Sequence, residues 1–352
     1  MKDIARIALR PGMVIGKDIF SYRDEMLFPV GTKIDEAVIA KLARHSIMAV
    51  PIMEEIDFAT THFEKIRLSD GFRNFELQYN HCLLSYRNMM NNFVNNSVPV
   101  DLQFLLCIYH TLVAMTPNTN LLLDYLYNMV PNEDELTHTH CLNSALIAGI
   151  FADWLSMTPS DKETLILSGF FYDIGKLKLP YDLLWKPGKL TEVEYATIKT
   201  HPILGYEMAR MQGLNPHILN AIFMHHERCD GTGYPSGLRK EQIDIFARYI
   251  AIIDAYEAMT SARTYRHSLT PLQVIARFEQ EGLQRYDETL LRPILKRIAD
   301  SQIGLTVKLN DDSKWEIFVI NPAKLSRPIL KRNESEFLNL SERPDLEVVS
   351  IH

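Results

Sequence analysis

The stretch HHERCDGTGYPSG, residues 225–237, decides how the rest of the chain is read. Two adjacent imidazoles stand at the end of a helical run, and Gly231, Gly233 and Gly237 follow in the next loop. Glycine lets a main chain come close to a ligand, and imidazole is the commonest protein metal ligand. The surrounding helical block also carries His140, Asp173, His201, Asp230 and Asp254, so histidines and carboxylates are concentrated in one part of the sequence. Isolated histidines usually pack or face solvent. His45, His62, His81, His110, His138, His217, His267 and His352 are read that way.

The bulk numbers set the frame. A chain of 352 residues with 47% hydrophobic content can bury two or three real cores. A net charge of −7 and a pI near 6.0 argue against a protein that coats a nucleic-acid polymer. Cys82, Cys107, Cys141 and Cys229 show no CxxC spacing, which suits free thiols in a reducing compartment. The opening MKDIARIALRPGM lacks the apolar core of a signal peptide, and the run ALIAGIFA, residues 145–152, is too short to span a bilayer. A soluble cytoplasmic protein without membrane insertion is expected.

Along the chain, residues 1–57 read as a small α+β module. VIGKDIF and MLFPV are its short strands, DEAVIAKLARHSI its amphipathic helix, and MAVPIM its closing strand, with Gly31 at the turn before the helix. Residues 58–131 form a helical layer or linker with no sign of chemistry, suited to packing or to a homodimer. Residues 132–302 are helix after helix. Ser160 with Glu163 and Thr191 with Glu194 fit capping boxes, while Asn215-Pro216 and Thr270-Pro271 fit a capped start with proline first. Residues 303–352 turn to short β-like runs and form a β-rich extension. The fold class is mainly α, with a small module at each end.

The central motifs resemble the HD-GYP family. HHERCDGTGYP matches its signature HHExxDGxGYP, and YDIGK, residues 172–176, matches its HDxGK except at the first position. LLWKPGKLTEVEYATIKTHPILG, residues 183–205, resembles the segment around the family's middle histidine. THTHCLNSALIAG and IIDAYEAMTSARTYR resemble its first and last ligand segments. The resemblance covers roughly 133–300 and implies an HD-type helical hydrolase. It also implies one or two metal ions per chain, divalent or mixed-valence iron or manganese, and a cyclic dinucleotide substrate, chiefly cyclic di-GMP, hydrolysed to pGpG or GMP. Two cations about 3.5–4 Å apart would activate a water and stabilise attacking and leaving oxygens.

Carried over, the metal ligands would be His140, Asp173, His201, His225, His226 and Asp254, with Asp173 reaching both ions as the catalytic carboxylate. Lys176 would be catalytic and bind phosphate, and Arg263 and Arg266 would face the substrate with Gly233 and Tyr234. On residue type alone, Lys176 and Arg263 read equally as surface charges, and Asp230 as a brace of the loop.

Tyr172 stands where the family has its histidine. It could ligate as a phenolate, or pack beside a weakened site. Glu257 replaces the second aspartate of DxxD, and Thr264 and Arg266 replace the proline and lysine of RPYK. Leu136 stands where a three-metal subgroup has glutamate, so no third metal is implied. Two functions follow from the same residues: a phosphodiesterase, or an impaired relative that binds nucleotide or metal as a sensor or scaffold. A hydrolase of another phosphoester is a weaker third.

Overall fold

A computed structural model describes residues 2–6, 9, 12–21, 25–45, 47–53, 61–130, 135–184, 186, 188–261 and 269–352. They fall into two compact units, Met1–Asp70 and Gly71–His352.

In the first unit, β1 (Lys2–Ala5) is antiparallel to a strand closing the module, and β2 (Ile19–Phe20) pairs with β3 (Met26–Phe28). Gly31, at φ +85°, turns the chain towards α1 (Glu36–Arg44), whose first turn is capped by Asp35 accepting from the Val38 N–H. β4 (Ala49–Ile52) is the partner of β1. Ile15, Ile34, Leu42 and Val50 are buried between these elements. The expected strands and helix are present. β1 was not foreseen, because its partner lies more than forty residues along the chain and no local turn announces the pairing. α2 (His62–Arg67) closes the unit, started by a capping box of Thr61 and Glu64.

The second unit is helical until its last fifty residues. α3 (Asp70–Asn96), α4 (Leu102–Val113) and α5 (Thr119–Asn128) come first, with Phe72 and Phe75 of α3 against Tyr125 of α5. α6 (Leu136–Trp154) is buried around almost its whole circumference, as a central helix must be. It packs on α7 (Pro159–Phe171), which leads into a 3-10 turn, Ile174–Lys178. α8 (Tyr181–Leu184), α9 (Glu192–Ile198), α10 (His201–Ala209), α11 (Pro216–Met224) and α12 (Ile245–Thr260) follow, with α12 packed on α6 and α11. α13 (Pro271–Glu281) and α14 (Glu288–Asp300) lead to the C-terminal sheet. Thr191 with Glu194, Asn215 and Thr270 cap as expected. Ser160 does not: Thr158 is the cap of α7, with Pro159 in its first turn. Thr158 is extended while Ser160 is already helical, and a proline in the first helical turn favours that earlier start.

The sheet is antiparallel in the order β8 (Phe337–Asn339), β7 (Ile329–Lys331), β6 (Lys314–Val319), β5 (Thr306–Leu309), β9 (Val348–Ile351). Its inner positions include Val307, Ile317, Leu330 and Ile351, all buried.

Candidate metal centre

Helices α6, α7, α10, α11 and α12, a 3-10 turn and one glycine contact build the centre. α7 ends at Tyr172, and Asp173 opens the 3-10 turn. That turn lies directly on the first turn of α10: a Cβ on Gly175 would stand 1.9 Å from the His201 carbonyl oxygen. Only glycine allows this approach, which brings His201, in the first turn of α10, beside Asp173. His225 caps the C-terminus of α11, with His226 next to it.

Asp173, His201, His225 and His226 each offer a ligand atom, all within 4.8 Å of one another. His201 Nδ1 is 2.7 Å from the Ile198 carbonyl and His225 Nδ1 is 2.9 Å from the Ile222 carbonyl. A carbonyl only accepts, so both Nδ1 atoms carry the proton and both Nε2 atoms turn lone pairs into the site. Those two Nε2 atoms are 3.2 Å apart, and His201 Nε2 is 3.1 Å from Asp173 Oδ1. The Oδ1 atom is buried and accepts no hydrogen bond. Three electron-pair donors facing one another without a proton between them fit a bound cation. Burial lowers the pKa of His201 and His226, which keeps these imidazoles neutral and available as ligands. Burial would raise the Asp173 pKa, but the Lys176 ammonium paired with it holds it well below the usual carboxylate range.

The other side of Asp173 is built differently. His140, on α6, places Nε2 2.9 Å from Asp254 Oδ1 and 3.7 Å from Asp173 Oδ2. Its Nδ1 is bound by Glu257, which also takes an N–H from Asn143 and the Ser261 hydroxyl. Burial alone would lower the His140 pKa; Glu257 and Asp254 push it up to about 10. Asp254 is held below its ordinary value, burial being outweighed by its bond with His140. A buried imidazole pinned between two carboxylates marks a region that favours positive charge, as a cation site does.

Tyr172 points into this half. Its hydroxyl is 3.0 Å from Ser144 Oγ and 3.4 Å from Asp254 Oδ1, and its ring edges meet His140 and His225. Burial, then Asp254 and Asp173, push the phenol well above its ordinary pKa. In this arrangement it is a protonated donor.

The loop after His226 is fastened by Glu227, which is buried and accepts from the Ser236 and Leu238 N–H groups. A Cβ on Gly233 would stand 2.4 Å from the Arg228 nitrogen, so this glycine has a packing reason of its own. Tyr234 stacks on His226 with centroids 4.6 Å apart. Asp230 accepts from the Thr232 N–H and hydroxyl and braces the loop. Lys176 is ion-paired with Asp173 Oδ2. Arg263 and Arg266 lie outside the described residues. Sequence reasoning missed Glu227, although its place directly after the two histidines is a signal, and missed Asn143 and Ser144, for which no local signal exists.

Residues 124–290 match the HD domain family. Over 177 residues the chain is 33% identical to the cyclic di-GMP phosphodiesterase PA4108 of Pseudomonas aeruginosa, which covers 50% of this chain and 42% of that protein. It is 32% identical over 154 residues to the cyclic di-GMP phosphodiesterase response regulator RpfG of Xanthomonas campestris pv. campestris, covering 43% of this chain and 40% of the relative. Identity to 3'3'-cGAMP-specific phosphodiesterase 1 of Vibrio cholerae serotype O1 is 36% over 148 residues, 42% of this chain and 34% of that one. The chain thus spans about two fifths or less of these curated relatives. A solved HDG"Y"P protein, Bd1817 from Bdellovibrio bacteriovorus, aligns over 85% of this chain and 99% of that one, at 15% identity and a TM-score of 0.45.

The helical core around these residues is an HD domain. Residues 124–290 thus match the HD domain family, with Tyr172 where the HD pair has its histidine. Dependence on a divalent cation goes with the domain, and the Asp173 cluster is its candidate seat. Among the described residues no helix is long and apolar enough to cross a membrane.

Proposed function

We propose that the protein is a metal-dependent phosphodiesterase that hydrolyses a cyclic dinucleotide, cyclic di-GMP, to pGpG or GMP in bacterial second-messenger signalling. The observation that carries this reading is the buried convergence of Asp173, His201, His225 and His226. The activities of the relatives, cyclic di-GMP and 3'3'-cGAMP phosphodiesterases, support it. Iron or manganese suits a set of imidazoles and carboxylates. A cation held there supplies Lewis acidity towards water and phosphoryl oxygens.

The protein's own groups do the rest. His201 and His225 keep fixed tautomers, and Asp173 is held ionised between the two halves. His140 and Asp254 face Asp173 from the second half as the remaining ligands. Lys176 carries a positive charge at the edge of the site for a phosphate oxygen. Arg263 and Arg266 contact the diester, and Tyr234 borders the nucleotide from its stack on His226. Cytoplasmic residence suits that substrate. A homodimer through the 58–131 layer is supported by Leu77, Leu84 and Phe104, which are exposed there.

The test is to load the chain with iron(II) or manganese(II), add cyclic di-GMP and resolve the products by chromatography. Appearance of pGpG or GMP is expected. Tyr172 favours a second reading, a relative that binds nucleotide or metal as a sensor or scaffold. Metal-loaded protein that retains cyclic di-GMP intact would select it.

A further inference from the structure

The Asp173 cluster and the His140 side account for the ligands but not for what holds the His140 ring. The ring is tied into a line of hydrogen bonds that ends far outside the HD motifs, on α3. Tyr79 donates its hydroxyl to Asn143 Oδ1 at 2.6 Å, and Asn143 Nδ2 donates to Glu257 Oε1 at 2.8 Å. Glu257 Oε2 then takes His140 Nδ1. The three supporting side chains are 0%, 2% and 3% exposed, so no water competes along the line.

Chemistry fixes its direction. A carboxylate needs donors, so Asn143 must turn its amide NH2 to Glu257 and its carbonyl oxygen to Tyr79. Only a donor can meet that oxygen, and the phenol is the one placed there. With Tyr79 and Ser261 holding the far end, the Glu257 carboxylate cannot swing, and His140 Nδ1 keeps its proton.

We infer that Tyr79 is a positioning residue of the metal centre, fixing the His140 ring through Asn143 and Glu257 so that Nε2 faces Asp173 and Asp254. The inference rests on the proposed role of His140 as a ligand. A second phenol of the same helix gives independent support for this register. One heptad on, Tyr86 donates to the Phe170 carbonyl in the last turn of α7, two residues before Tyr172. That bond satisfies one of the helix's terminal carbonyls. α3 is thus bonded to both helices that deliver ligands at Asp173 and His140.

Tyr79→Phe removes one hydroxyl and keeps the ring that packs on Phe75. The full-length protein would be titrated with manganese(II), and the ring nitrogens of His140 followed by 15N NMR without metal. Binding is expected to weaken about tenfold, the scale on which outer-shell partners act, with a shifted His140 Nδ1 resonance. Tyr125→Phe deletes a hydroxyl from the same layer, beside Phe72 and Phe75, and should change neither reading. In an Asn143→Ser background, Tyr79→Phe should add no further loss.

Manganese affinity within twofold of wild type, with unchanged His140 resonances, would overturn the inference. Equal losses in Tyr125→Phe would do so too, by pointing to packing alone. If Tyr79→Phe folds poorly, Asn143→Ser cuts the same line at its middle link and gives the same two readings. Neither reading uses turnover. Wild type that binds manganese but leaves cyclic di-GMP intact defeats the proposed function and leaves this test standing.

Discussion

The two sides of Asp173 are held by different materials. His201 and His225 are steadied from behind by main-chain carbonyls three residues earlier, at Ile198 and Ile222. His140 is steadied by a carboxylate that is itself held by an amide, a hydroxyl and a phenol. A helix supplies its own carbonyls, so the first kind of bracing survives almost any change of neighbouring side chains. The second kind is lost when a single side chain is replaced. The same contrast runs through the proposed ligands. The carbonyl-braced side keeps every residue of the family pattern, and the departures at Tyr172 and Glu257 both fall on the side braced by side chains.

The largest expected effect tests the robust side. His225→Ala removes one donor of a four-residue cluster, and metal affinity should fall by more than the roughly 100-fold that an outer-shell loss can cost. Metal analysis after gel filtration reads this directly. Retained metal would mean that the cluster is not the seat, and the contrast between the two sides would collapse.

Tyr172→His comes next and sharpens the contrast from the weaker side. An imidazole there adds a donor beside His140 and Asp254, so metal content should rise towards a second equivalent per chain, with phosphodiesterase activity rising alongside. In iron-loaded wild type no phenolate-to-ferric absorption band is expected, because the Tyr172 hydroxyl is already engaged with Ser144 Oγ and Asp254 Oδ1. A visible band that Tyr172→Phe abolishes would instead make Tyr172 a ligand and the two sides alike.

The smallest effect belongs to the scaffold beneath both. Asp287 is buried, and burial would raise its pKa. Lys240 at 2.8 Å, Thr289 and Arg248 at 2.7 Å hold it below the ordinary value instead. A depressed carboxylate stabilises the fold at pH values above its unfolded pKa, and that contribution fades as pH falls through the lower folded value. Asp287→Asn should therefore cost on the order of 1 kcal/mol near neutrality and flatten the acid limb of melting temperature against pH. An unchanged acid limb would place acid sensitivity in the ligand residues themselves.

Much of this was legible beforehand, for reasons that can be named. Thr191, Asn215 and Thr270 start helices because capping is a local bond between near neighbours. His201, His225 and Asp173 were read as ligands because their spacing follows a motif, and the structure brings them together. Gly233 was read as bordering the nucleotide, whereas the main chain of Glu227 and Arg228 already requires a glycine there. Residues 58–131 were read as having no chemistry, and nothing near Tyr79 in sequence points to Asn143, 64 residues away. Such pairs are set by how α3 lies on α6, a packing outcome that no periodicity encodes. Arg263 and Arg266 fall outside the described residues, so their expected roles rest on the motif.

The contact at Gly175 has one further consequence. The gap between Asp173 and His201 is set where two stretches of backbone touch, by an atom that is missing rather than by one that can be exchanged. That gap works as a fixed gauge. A lineage under pressure to accept a different ion has no gradual way to widen it, because the first step, a methyl group, already collides with the His201 carbonyl. Variation is left to the rim, where Tyr172 already stands in place of a histidine.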